Sequence, residues 1–232
     1  MDKKIQRALG RNAKRLSTNI DLSKATHENF GQVVVDSIQN YLNWALALDD
    51  GSTLVNSIYS ANLRESAAFS ARSARITYLL GKVSLLDAAG RKGLVRAQII
   101  EYGAIAEAIL LDLIQCIGMQ NKPIGLRPAV DKVGQPMPWT DDGLFTLRAA
   151  NTTSLRYQYD LNWLISQARR VGAIDVNLKR RLDWLRKSRN LVHPVIPTSQ
   201  RYTDDLDSGR QARNAVVDVR DASIAFKAAV GL

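Results

Sequence analysis

Leu182-Asp183-Trp184-Leu185-Arg186-Lys187-Ser188-Arg189-Asn190-Leu191-Val192-His193-Pro194 is the stretch from which the rest of the chain can be read. Placed on a helix at about 100° per residue and run back to Val176, it lines up Leu178, Leu182, Leu185 and Val192 in one narrow apolar stripe. Arg189 falls in the middle of that stripe. A guanidinium there has to meet a carboxylate or face a partner, because a lone desolvated charge is costly. Arg186 and His193 lie almost above one another on one flank, with Asn190 beside them. Asp175 suits the N-cap of this helix, Pro194 and Pro197 end it, and Gly172 suits the C′ position of the helix before it.

Working outward, the same periodicity predicts helices almost everywhere. Residues 153–171 carry Leu161, Trp163, Leu164 and Ile165 in an apolar part. Residues 94–117 repeat Ile99, Gly103, Ala106, Leu110, Leu113 and Ile117 at alternating fours and threes, one seam in which the small Gly103 and Ala106 admit a second helix closely. Residues 24–48 read as an amphipathic helix despite the β-prone Val33-Val34-Val35, and Asp49-Asp50-Gly51-Ser52 breaks it. Residues 53–88 read as one or two Ala-rich helices with Arg64, Arg72 and Arg75 outside, and 209–230 as a last helix with Val216, Val219, Phe226 and Val230 among its apolar positions. Gly90 and Gly93 punctuate the clearest shift in composition. The chain therefore divides softly into a basic helical N-terminal region, 1–90, and a helical domain, 91–232, as two units or as parts of a single globule. The expected fold is all-α, a helical bundle with an additional helical N-terminal region. Residues 118–142 hold four of the six prolines and read as a long loop, a lid, a partner-binding segment or an insertion.

The charge balance is 32 Lys and Arg against 22 Asp and Glu, net +10. Polyanions are the natural partners of such a surplus: RNA, DNA or an anionic membrane surface. Lys3, Arg7, Arg11 and Arg15 would align on a helix, as a nucleic-acid contact or as a solvated arm. Aromatic content of 6% leaves no stacking platform for single strands, so phosphate contacts remain the main binding mode. The single cysteine, Cys116, excludes an internal disulfide and lacks the company of a zinc site; it reads as a packing thiol. No apolar run approaches the length of a membrane span, no signal-peptide core is visible, and the cytoplasm is the default. His27 reads as a surface residue, and Asp204, Asp205 and Asp207 as a solvated turn without the remaining elements of a calcium loop. No phosphate-binding glycine loop is present. Neither a metal nor a cofactor is expected.

The gathering at the end of the 176–193 helix suits phosphodiester chemistry. An imidazole can take or give a proton near neutral pH. An arginine can stabilise charge on a phosphorane-like transition state, and RNA supplies its own nucleophile, the 2′-hydroxyl. Cations at a helix C-terminus are also favourable simply because they meet the negative end of the macrodipole. Glu107, on the flank of the 94–117 seam, either pairs with Arg189 or Arg186 or is an ordinary solvated carboxylate.

The 182–194 stretch resembles the motif of the HEPN superfamily. Glu101-Tyr102-Gly103-Ala104-Ile105-Ala106-Glu107-Ala108-Ile109-Leu110-Leu111 is similar to that family's glutamate-bearing core helix. Leu161-Asn162-Trp163-Leu164-Ile165-Ser166-Gln167-Ala168, followed by the Gly172 turn, resembles the helix before the motif. The resemblance implies a HEPN-like helical bundle, often a homodimer. It implies for many members a metal-independent endoribonuclease of toxin–antitoxin, phage-defence or RNA-processing type, with four to six residues between an Arg and a His and two subunits forming one composite site. Arg186 and His193, with six residues between them, fit that spacing; Arg189, with three, does not. On this reading Arg186 and His193 are catalytic, and Arg189 and Asn190 position phosphate or hold the dimer. The partners are RNA or another nucleic acid, a second copy, and an antitoxin or defence protein. Two alternatives stay open: a non-catalytic HEPN-like dimerisation and binding module, and an unrelated helical interaction protein whose Arg/His cluster is a salt-bridge network.

Overall fold

The computed structural model describes residues 30–49, 51–83, 88–119, 160–190 and 206–232. The basic N-terminal stripe, His27, the proline-rich segment from residue 120 onward and residues 191–205, His193 included, lie outside the described residues. Every described element is helical, and no strand occurs among them: α1 (Phe30–Leu48), a 3₁₀ turn (Ser52–Val55), α2 (Ala61–Val83), α3 (Ala88–Met119), α4 (Leu161–Arg170), α5 (Val176–Asn190) and α6 (Leu206–Val230). The all-α expectation holds, and Val33-Val34-Val35 lies within α1. No described helix is long and apolar enough to cross a membrane.

α3 is the axis of the bundle. Its seam residues Ile99, Ala106, Leu110, Leu113 and Ile117 are buried, and so are Ile105, Ile109 and Ile114 on its other sides. A helix apolar nearly all round must sit at the centre, and α2, α4, α5 and α6 pack about it. α2 runs antiparallel to α3: Ser73 Oγ donates to Glu101 Oε1 at 2.9 Å, while Tyr59 and Ser60, just ahead of α2, meet Asp112. α6 runs parallel to it, with Gly209 against Val95 and Gln98 and Lys227 against Asp112. α1 packs on α2 through a smaller core of Tyr41, Ala45, Leu46 and Leu79.

α4 and α5 form a short helical hairpin. Asp160 caps α4 by accepting from Trp163 N at 2.8 Å. Gly172 turns the chain at φ +81°, a left-handed conformation that a side chain would resist. Asp175 caps α5 by accepting from Leu178 N at 2.6 Å. Three apolar residues of α5, Leu178, Leu182 and Leu185, are buried as their spacing implies.

Two expectations are corrected. Gly90 and Gly93 do not break the chain; both lie in the first turns of α3. A glycine costs a helix only about 1 kcal/mol relative to alanine, and tertiary packing outweighs that. The line drawn at residue 90 thus falls inside a continuous helix, and one core draws Leu54, Val55, Ile58, Ala67, Ala71 and Ala74 together with residues of α3 to α6. Arg75 is not on the exterior but 8% exposed. Its Nε donates to the Asp49 carbonyl at 3.2 Å, and its guanidinium carbon lies 5.5 Å from the centre of the Tyr78 ring. The segment leaving α1 covers that side of α2, while Arg64 and Arg72 remain exposed.

Candidate functional site

The Asp175 cap fixes where α5 starts, and the buried leucines fix which side faces the bundle. That rotation directs Arg189 onto α3. The charge is not left alone there: Arg189 Nη1 donates to Glu107 Oε2, with the two side chains 33% and 30% exposed. Of the two arginines open to Glu107, the structure selects Arg189. The crossing depends on Gly103, because a Cβ at that position would stand 2.8 Å from Arg189 Cδ. The small residue in the α3 seam admits the aliphatic stem of one arginine and lets its head reach a carboxylate one helical turn on.

Arg186 stands beside this clamp under different terms. Its nearest carboxylate among the described residues, Asp183 Oδ1, is 3.9 Å from Nε, beyond hydrogen-bond reach. The other Asp183 oxygen accepts from Lys179 Nζ at 2.6 Å. Arg186 Nε is buried and has no acceptor among the described residues, and the neighbouring Ser188 Oγ is likewise buried and unpartnered among them. A buried donor left unmet costs roughly 1–3 kcal/mol, so each such group calls for a partner or an explanation. Asn190 is exposed at the last position of α5. Three of the five expected site residues, Arg186, Arg189 and Asn190, thus share the C-terminal end of one helix, and Glu107 is brought to Arg189. His193 lies outside the described residues.

A second polar cluster was not foreseen. Lys227 and Asp112 are each 1% exposed. Lys227 Nζ donates to Asp112 Oδ2 at 2.5 Å and to the Ser57 carbonyl at 2.6 Å, and lies 3.9 Å from the centre of the Tyr59 ring. Asp112 Oδ1 also accepts from Ser60 N at 2.8 Å and Tyr59 N at 3.1 Å. The signal was present: Lys227 continues the buried α6 stripe of Val216, Val219 and Ser223 at helical spacing, and Asp112 interrupts an apolar run. Cys116 lies beside this cluster, its Sγ 3.9 Å from Asp112 Oδ2. Burial first, and the Asp112 charge second, push its thiol above the usual range. A raised thiol is a poor nucleophile, in keeping with a packing role.

Among the described residues no group of three His, Cys, Asp or Glu side chains is placed to hold a metal ion. No family model, no curated protein and no solved structure matches the chain.

Proposed function

We propose that this is a HEPN-like protein that cleaves RNA, with Arg186 and His193 as its catalytic pair and two copies contributing to one composite site. What carries the reading is the division between two neighbouring arginines. Arg189 is charge-matched within the fold by Glu107, whereas Arg186 at the same helix end keeps a buried Nε with no acceptor among the described residues. The Arg186 side chain is 25% exposed, so its terminal N–H groups rather than its buried Nε would meet a phosphate oxygen.

In the reaction, the 2′-hydroxyl attacks the adjacent phosphorus as an imidazole removes its proton. Charge grows on the phosphoryl oxygens and is met by Arg186. The 5′-oxygen leaves, taking a proton, and a 2′,3′-cyclic phosphate remains. Arg189, held by Glu107, positions Arg186 and Asn190 rather than touching the phosphate.

The test is RNA cleavage in EDTA by the full chain, with Arg186→Ala and His193→Ala alongside. Wild-type cleavage leaving cyclic phosphate ends, lowered about 100-fold or more in each variant, is the expected outcome. No cleavage by a folded wild type across several RNAs overturns the enzyme reading and leaves the non-catalytic binding module.

A further inference from the structure

The cations of this molecule are unevenly placed. α3 carries three Lys and Arg against three Asp and Glu, α6 four against three, and α2 four against one. The α4–α5 hairpin, residues 161–190, carries eight against only Asp175 and Asp183. Both acids are engaged, Asp175 as the cap of α5 and Asp183 as acceptor from Lys179 Nζ. Two more cations reach acids of other helices, Arg181 at Asp218 of α6 and Arg189 at Glu107 of α3. Arg169, Arg170, Arg180 and Lys187 are exposed and meet no carboxylate among the described residues.

Arg180 and Lys187 are seven residues apart on α5, so they fall within about 20° of one another and roughly 10 Å apart along the axis. They occupy the side opposite the buried Leu178, Leu182 and Leu185, the outermost ridge of the helix. Arg186 stands about 100° round the helix from Lys187. Arg169 and Arg170 close α4 at the tip of the same hairpin, where the helix dipole favours them. The dipole gives no such benefit to Arg180 in the first half of α5, whose Nη1 reaches only Asn177 Oδ1, at 3.5 Å. A helix that lies on a bilayer sets large apolar side chains beside its charges. Here Val176 is the only exposed one in the hairpin, while Trp163 and Trp184 pack on the core.

We propose that the Arg180–Lys187 ridge, with Arg169 and Arg170 at the hairpin tip, binds the phosphate backbone of a polynucleotide. Cations in a row take phosphate without regard to base. The proposal does not rest on RNA cleavage and holds equally for a non-catalytic binding module.

The experiment compares two double variants of the full chain, each removing two positive charges at exposed helical positions where alanine is well tolerated. Arg180→Ala with Lys187→Ala strips the ridge, and Arg64→Ala with Arg72→Ala strips α2. The probe is a labelled 2′-O-methyl RNA oligonucleotide, which has no free 2′-hydroxyl to attack its own backbone. Binding is measured in EDTA over a range of NaCl concentrations. The ridge variant is expected to bind more weakly and to lose about 1.4 from the slope of log K against log salt, two phosphates at about 0.7 each. The α2 variant, and the charge-conserving Arg180→Lys with Lys187→Arg, keep the wild-type slope. Single-stranded DNA should lose the same slope, and the tighter of the two wild-type affinities names the strand.

Equal losses in the ridge and α2 variants would mean that only net charge matters and would overturn the proposal. An unchanged slope in the ridge variant, or no binding by the wild type, would overturn it as well. So would a ridge variant that keeps its slope on RNA and loses only its hold on vesicles of phosphatidylcholine and phosphatidylserine. Failure here is separable from failure of the enzyme reading: a chain that binds through the ridge and never cleaves sinks the enzyme alone, and one that cleaves with the ridge slope unchanged sinks the ridge alone.

Discussion

Two carboxylates of α3, Glu107 and Asp112, stand five residues apart and each holds a cation from a distant helix. Their surroundings differ completely. The Glu107–Arg189 pair sits at the rim with about a third of each side chain in water. The Asp112–Lys227 pair is sealed, with side chains 2% and 1% exposed, further hydrogen bonds to Asp112 from Tyr59 and Ser60 N–H, and one from Lys227 to the Ser57 carbonyl. At the rim, water already solvates both charges, so the pair adds little stability and chiefly sets where Arg189 lies. In the interior neither ion can be left without the other, because desolvation makes a single survivor very expensive.

The comparison breaks most sharply at Lys227. Lys227→Ala is expected to cost about 3–5 kcal/mol in urea unfolding, the usual result of stranding one buried charge. Replacing both partners, Lys227→Met with Asp112→Leu, should recover part of that loss. The remaining deficit would come from the Tyr59 and Ser60 N–H groups deprived of their acceptor. A single-variant cost below about 1 kcal/mol would show that water reaches the pair.

A smaller effect is expected where the rim pair crosses α3. Gly103→Ala should cost about 1–3 kcal/mol through overpacking against Arg189 Cδ. Adding Arg189→Ala should remove most of that penalty, a coupling that a double-mutant cycle reads directly. Additive costs would mean that Gly103 serves some other contact.

The smallest effect sharpens the contrast through salt. Glu107→Gln should cost about 1 kcal/mol or less at low ionic strength. The difference should shrink in 1 M NaCl, where the screening length falls to about 3 Å. The Lys227→Ala deficit should hardly move with salt, because mobile ions do not enter the core. Equal salt dependence in the two variants would erase the distinction.

Local rules made much of this fold legible. The Asp175 cap, the Gly172 turn and the buried leucines of α5 each follow from residues within a few positions of one another. The α3 seam follows from periodicity alone. Arg189 was conspicuous because a charge in an apolar stripe needs a partner, and Glu107 was the right residue to suspect. Periodicity could not say which of two arginines it would meet, because that depends on how α5 is rotated against α3. Gly90 and Gly93 misled because a helix-breaking tendency of about 1 kcal/mol is small beside the packing of a central helix. Arg75 misled because what covers it arrives from beyond α1. Asp112 and Lys227 lie 115 residues apart, and no local pattern announces a partner at that distance.

The parallel run of α6 along α3 has a kinetic consequence. α2 with α3, and α4 with α5, are neighbours in sequence and pair across short separations along the chain. Lys227 reaches Asp112 across 115 residues and Ser57 across 170. Contacts of such separation slow folding, since the chain is confined before they repay the confinement. Seating the last turns of α6 is also the act that strips water from a lysine. Nucleation of this bundle is a local affair; its completion waits on dehydrating one ammonium group.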